Sequence, residues 1–231
     1  MKTKNHLQLK RGAGILLPIS SLPSPYGIGT LGKKAYQFVD FLERAGQKYW
    51  QVLPVGPTSF GDSPYQSFSA FAGNPYFIDL DILIEDKLLE KEEVNNYEWG
   101  THKQYIDYEA LFNSRFEVLK IAFKRSKYQI ENEYSEFCNE NSYWLEDYSF
   151  YMALKFHFDN KEWLQWEEEI RYREESAIVE YQSLLKEEID FFKFLQYLFY
   201  KQWYQLKRLF VKCWGVRCVA PALTLTIELF L

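Results

Sequence analysis

Hydrophobic and polar positions change their pattern twice along this chain. Residues 13–19 (AGILLPI) form a short apolar run, which predicts a buried strand. A loop rich in Ser, Pro and Gly follows over residues 20–32. Apolar residues then recur at the spacing of a helix face, and these are Ala35, Phe38, Val39 and Leu42. Residues 49–55 (YWQVLPV) form a second apolar run, so the pattern predicts strand, loop, helix and strand in succession.

The predicted helix has start and stop signals. Thr30 is a plausible N-cap residue, and Gly46 is placed to end the helix. A strand–helix–strand unit within about 45 residues predicts two parallel, adjacent strands. The loop 20–32 and the loop 61–77 then follow the carboxyl ends of these strands, where α/β barrels and open α/β sheets place their sites.

From about residue 85 the pattern becomes helical. Residues 85–207 contain one glycine, Gly100, and no proline, and segments 143–158 and 187–207 predict long, strongly apolar helices. The composition changes again in the last 24 residues. The chain therefore predicts three parts: the start of an α/β domain over 1–84, an inserted helical subdomain over 85–207, and an atypical tail over 208–231.

The segment 61–77, GDSPYQSFSAFAGNPYF, is too broken for a helix and has few β-branched residues for a strand. It interleaves aromatic rings with Gly, Pro, Ser and Asn. Two interpretations stay open: a loop that packs on itself, or a loop that presents rings and hydroxyls to a ligand. Residues 76–83 are also a possible third strand, and a fourth is possible near 216–229.

Composition narrows the classes of partner. A net charge of −5 argues against nucleic acid and anionic membranes. Aromatic residues make up 19% of the chain, and rings of this kind fill cores or stack on flat ligands such as sugars. The three cysteines, Cys138, Cys213 and Cys218, form no disulfide or zinc pattern, so we expect a reducing, cytoplasmic location. The apolar stretch 209–231 is interrupted by charges and Pro221, which argues against a membrane span.

Two segments carry a resemblance to a known family. GAGILLPISSLPSPYGIGTLG and KYWQVLPVGPTSFGDSPYQSFSAFAGNPYFIDLD are similar to the N-terminal part of amylomaltases, the disproportionating 4-α-glucanotransferases of the α-amylase clan. The similarity runs without a gap from about Gly12 to Leu83. It continues more loosely through 99–108, 143–155 and 194–207.

The resemblance implies a (β/α)8 barrel with an early helical insertion, here incomplete. It implies that α-1,4-glucan segments are transferred between maltooligosaccharides with retention of configuration. One carboxylate would attack the anomeric carbon while a second carboxyl group, roughly 5 Å away, protonates the leaving oxygen. The implied partners are maltooligosaccharides and α-1,4-glucans, and neither a metal nor a cofactor is implied.

The resemblance also implies a set of substrate-binding residues. Tyr65 would stack against the glucose at the bond to be cleaved, with Asp62, Ser63 and Gln66 positioning its loop or hydrogen-bonding the sugar. Phe60 and Tyr108 would contact an outer part of the glucan. In the first loop, SPYGIG, Tyr26 is predicted either to pack or to bind.

The catalytic carboxylates that the resemblance implies do not occur in this sequence. We find neither the nucleophilic aspartate in its Arg-x-Asp-His-Phe-Arg-Gly context, nor the acid/base glutamate, nor the third aspartate. The predicted strands are too few to close an eight-stranded barrel. We therefore expect a truncated family member whose tail past residue 207 could derive from a reading-frame change, with possible self-association through exposed sheet edges.

Other candidate residues have ordinary explanations. Asp79 and Asp81 would share one face of a strand over 76–83, but no sugar-facing context surrounds them. The run Glu167, Glu168 and Glu169 predicts a solvated helix face, and the three histidines match no metal spacing. Two alternative functions stay open: a non-catalytic glucan-binding fragment, and a protein that binds a partner through the helices of 110–207.

Overall fold

The computed structural model describes residues 11–58, 61–100, 102, 104–126, 131–212 and 217–219. Three short strands are β1 (Gly14–Leu16), β2 (Tyr49–Gln51) and β3 (Arg217–Val219). The helices are α1 (Lys33–Arg44), α2 (Leu80–Glu85), α3 (Lys91–Asn95), α4 (Tyr108–Ser126), α5 (Glu131–His157), α6 (Glu168–Arg171), α7 (Glu175–Leu184) and α8 (Lys186–Lys212). Within these residues no helix is long and apolar enough to cross a membrane.

The predicted strand–helix–strand unit is confirmed. Strand β1 pairs in parallel with β2, with Gly14 opposite Tyr49, and β2 pairs in parallel with β3, with Tyr49 opposite Arg217. The sheet order is β1-β2-β3. The strand that was predicted near 216–229 is therefore present over 217–219, and the rest of that range lies outside the described residues.

Strand β1 differs from the prediction in its burial. Ile15 is 39% exposed and Leu16 is 56% exposed, whereas Trp50 on the adjacent β2 is fully buried beneath Phe38 of α1. A parallel strand is normally covered on both faces by other layers. The prediction of a buried strand over 13–19 was wrong because β1 lies at the edge of the described sheet and its side chains are left partly uncovered.

Helix α1 ends as predicted but begins differently. Gly46 has a φ of 69° and follows the last helical turn, where its amide bonds to the carbonyl of Glu43. The N-cap is Gly32, not Thr30. The Thr30 hydroxyl instead donates to the buried carboxylate of Asp79, 2.5 Å away. Thr30 therefore makes a tertiary hydrogen bond to Asp79 in place of the predicted cap on α1.

The strand that was predicted over 76–83 does not form. Asn74 caps a short 3-10 helix, Pro75–Phe77, by accepting a hydrogen bond from the Tyr76 amide. Asp79 caps α2 by accepting from the Ile82 amide at 3.0 Å. Asp81 lies in the first turn of α2 and accepts from the Tyr26 hydroxyl. Since this segment is helical, Asp79 and Asp81 do not share a strand face.

The helices predicted within 85–207 form, and most of the rings they carry belong to the core. The helix predicted at 143–158 lies in α5 up to its end at His157, and the one predicted at 187–207 lies within α8; the two helices pack against each other. Trp144, Phe192, Phe199 and Trp203 are among their buried side chains. Helix α8 also contacts α1 and the turn at 75–77, so it lies directly beneath the loops that follow β2.

Candidate functional site

A small, partly open cleft of about 40 Å³ lies at the carboxyl ends of β1 and β2. Residues 18–20 and 53–55, which follow the two strands, contribute to its lining. Its polar lining comes from Ser20, Thr58, Asp62, Asn74 and Tyr108. The location agrees with the expectation that a parallel sheet carries its site at this edge.

Asp62 has an unusual conformation and environment in this cleft. Its φ is 55°, a left-handed value that a non-glycine residue seldom adopts. Partial burial raises the pKa of its carboxyl above the ordinary value, because desolvation disfavours the charged form. Burial and, secondarily, the Asp62 charge raise the pKa of the Tyr108 phenol. Two of the predicted site residues, Asp62 and Tyr108, therefore line one cleft and interact electrostatically.

Tyr65 projects from the same loop into solvent. Its side chain is 61% exposed, so it is not a plug beneath its own loop. A turn supports it: the amide of Gln66 donates to the Ser63 carbonyl at 3.1 Å. Ser63 is half-buried within this turn, and Gln66 is exposed. Phe60, the remaining candidate, lies outside the described residues.

The first loop places Tyr26 in the core. It is 7% exposed, and its ring packs edge-on against Trp99 with centroids 5.6 Å apart. Its hydroxyl donates to Asp81. Of the two roles predicted for Tyr26, packing and ligand binding, the structure shows packing.

The structure reveals a set of contacts that sequence reasoning missed, and these fasten the loop to the helical block. Phe71 stacks on Trp144 of α5 with centroids 6.0 Å apart, and Phe68 stacks near Tyr148. The Tyr200 hydroxyl of α8 donates to the carbonyl of Phe71. The only signal in the sequence is that aromatic residues occur on both partners, and this does not specify which rings pair.

Arg115 is a second residue that the sequence did not single out. It is fully buried, and its guanidinium donates to the carbonyls of Tyr76 at 3.1 Å and Ile78 at 3.3 Å. Desolvation lowers the pKa of Arg115 to about 10. Its guanidinium satisfies one carbonyl within the 3-10 turn and one directly after it.

The acidic run at residues 167–169 lies on the surface of the protein. Glu167, Glu168 and Glu169 are exposed, as predicted, and Glu167 accepts from the Tyr181 hydroxyl at 2.8 Å. Among the residues that the structure covers, no group of three His, Cys, Asp or Glu side chains could hold a metal ion.

Comparison with known proteins identifies the family. The family model described as 4-alpha-glucanotransferase matches residues 17–214. A 4-alpha-glucanotransferase of Clostridium butyricum is 51% identical over 189 residues, which are 82% of this chain and 39% of that protein. One from Thermus thermophilus is 45% identical over 205 residues, 87% of this chain and 40% of that protein.

Solved structures of amylomaltases share the fold of this chain. Amylomaltase from Streptococcus agalactiae in complex with acarbose has a TM-score of 0.87 and 42% identity, covering 91% of this chain and 43% of that one. Amylomaltase from Corynebacterium glutamicum, 17% identical, shares the fold with a TM-score of 0.67 over 88% of this chain and 29% of its own. The chain spans about 40% of the length of the curated relatives it matches. On the match over residues 17–214 and these identities, the chain belongs to the 4-alpha-glucanotransferase family.

Proposed function

We propose that this chain forms the early part of a (β/α)8 barrel and carries a glucan-binding loop of a 4-α-glucanotransferase. The complete enzyme would transfer α-1,4-glucan segments between maltooligosaccharides by a retaining double displacement. The observation that carries the proposal is the 61% exposed Tyr65 ring on a fastened loop, beside a cleft lined by Asp62 and Tyr108. The family membership and the acarbose complex of the Streptococcus agalactiae relative support the same ligand class.

The chemistry of a glucan suits these groups. A glucose ring has an apolar C–H face and a rim of hydroxyls, so it is held by an aromatic face together with short polar groups. Tyr65 would supply the face. Asp62, Ser63 and Gln66 would hold the loop or bond to hydroxyls, and Tyr108 would contact an outer unit together with Phe60. The predicted cytoplasmic location stays a prediction.

We expect no transferase activity from this chain alone. The sequence contains neither the nucleophilic aspartate nor the acid/base glutamate that a retaining mechanism needs. Incubation with maltotriose should give neither glucose nor longer oligomers, as followed by chromatography. Formation of both products would refute this part of the proposal.

Glucan binding is the direct test. Tryptophan fluorescence is followed while maltoheptaose is added to the wild type, to Tyr65→Ala and to Tyr172→Ala. Tyr172 is a matched control because it is 67% exposed and lies at the end of α6, in the helical block. A lost stacking contact costs about 1 kcal/mol, so Tyr65→Ala should weaken binding roughly fivefold and Tyr172→Ala should not.

Two results would count against the proposal. Absence of binding by the wild type would refute a glucan-binding chain. Equal loss in both variants would mean that the rings act nonspecifically and that Tyr65 has no special role.

A further inference from the structure

We propose that Gln196 of α8 is a positioning residue that sets the location of the sugar-binding loop 61–73. The inference rests on the proposed function of that loop. It assigns a role to a side chain that lies in the helical block and lines no part of the cleft.

The geometry at Gln196 is that of a two-bond clamp. Its side-chain oxygen accepts from the Gly73 amide at 2.8 Å, and its side-chain nitrogen donates to the Gly73 carbonyl at 3.0 Å. Gln196 is fully buried. One amide side chain thus satisfies both backbone groups of one loop residue, as a neighbouring strand would.

Further hydrogen bonds fix the loop backbone on the N-terminal side of Gly73 and anchor the residue that follows it. The amide of Asn74 donates to the Val55 carbonyl at 2.8 Å, which fixes the loop end to the segment after β2. The Ser69 hydroxyl accepts from the amides of Phe71 and Ala72, and the Ser67 hydroxyl donates to the Ser69 carbonyl. The backbone is therefore held by bonds through the part of the loop that links Gly73 to the turn bearing Tyr65.

Gln202 makes the same kind of clamp at another place. It accepts from the Asp79 amide at 2.7 Å and donates to the Asp79 carbonyl at 3.1 Å, and it is 1% exposed. Asp79 caps helix α2, beyond the loop. The two glutamines therefore form a matched pair in which only Gln196 touches the loop.

The experiment compares Gln196→Met with Gln202→Met. Each change keeps the side-chain length and removes two buried hydrogen bonds to the backbone of one residue. Gln196→Met also removes a 3.5 Å bond to the Tyr148 hydroxyl, so it should lose at least as much thermal stability as Gln202→Met. Amide hydrogen exchange of peptides covering 61–73 should be about tenfold faster in Gln196→Met and within about twofold of the wild type in Gln202→Met. The maltoheptaose Kd should rise about tenfold in the first variant and stay within about twofold in the second, since only the first loses preorganisation of the loop.

Equal effects of the two variants on loop exchange, or no effect of Gln196→Met, would overturn the positioning role. If Gln196→Met does not fold, amide hydrogen exchange of the wild type tests the proposal instead. The Gly73 amide should then exchange as slowly as the amides of α8. Exchange at the rate of an open turn would overturn the proposal. A wild type that binds no maltoheptaose refutes the proposed function, whereas the positioning role is then judged by loop exchange.

Discussion

Gly73 packs closely against Phe199 of helix α8, and this contact allows the cost of one substitution to be estimated. A Cβ atom at Gly73 would lie 2.0 Å from Cδ1 and 2.2 Å from Cε1 of Phe199, which is fully buried. The φ of Gly73 lies outside the left-handed region, so an alanine here would not strain the backbone. Its cost would come only from the steric clash with Phe199. In Gly73→Ala either the ring or the loop must shift.

The expected cost follows from two opposing terms. Overpacking of a core costs about 1–3 kcal/mol, occasionally more. Replacing glycine by alanine in a compatible conformation recovers about 0.4–1 kcal/mol by restricting the unfolded chain. We therefore expect Gly73→Ala to lower the free energy of unfolding by about 1–2 kcal/mol, as measured by the midpoint of urea denaturation.

A double-mutant cycle with Phe199→Leu separates the clash from other effects. The smaller side chain should make room for the new methyl group, so Gly73→Ala should cost at least about 1 kcal/mol less in that background. Gly46→Ala serves as the control. It meets no atom within 4 Å but has a φ of 69°, so it should cost about 1–2 kcal/mol in both backgrounds. A Gly73→Ala variant as stable as the wild type, or a cycle without coupling, would refute the contact with Phe199.

Three further predictions concern charge and exposure. Burial raises the pKa of Asp62 in the folded state, so ionisation of this carboxyl opposes folding. In thermal denaturation at neutral pH, Asp62→Asn should therefore be more stable than the wild type. The difference should vanish below pH 3.8, the ordinary pKa of the carboxyl, where the wild-type side chain is protonated in both states. Arg125, 2.7 Å away, lowers the pKa of Glu93, so Glu93→Gln should be less stable at neutral pH, with the gap closing on acidification below 4.5; a gap that persists in acid would contradict this. Leu16→Lys places a charge on the exposed edge strand, so any self-association seen by size-exclusion chromatography should decrease with little change in stability.

Local signals predicted the sheet and helices well. The parallel β1–β2 unit, the end of α1 at Gly46 and the long helices α5 and α8 follow from apolar spacing and glycine placement over neighbouring residues. The segment 76–83 was predicted wrongly because Asn74 and Asp79 act as caps, and two cap signals within a short apolar run outweigh its strand-like appearance.

Long-range contacts explain what the sequence could not predict. Thr30 does not cap α1 because its hydroxyl is taken by Asp79, 49 residues away. The clamp by Gln196 and the buried Arg115 likewise depend on which segments meet after folding. The cleft position followed from strand order, and the resemblance supplied Asp62 and Tyr108 as its lining, whereas Thr58 and Asn74 were visible only once the loop was folded.

The clamps on α8 also impose an order on the synthesis of the protein. Gly73 and Asp79 are each separated by 123 residues from the glutamine that bonds them. Closing a segment of this length carries an entropic cost that must be met before the contact forms, and such pairings slow folding. The loop bearing Tyr65 can therefore make its contacts with α8 only after the ribosome has released that helix.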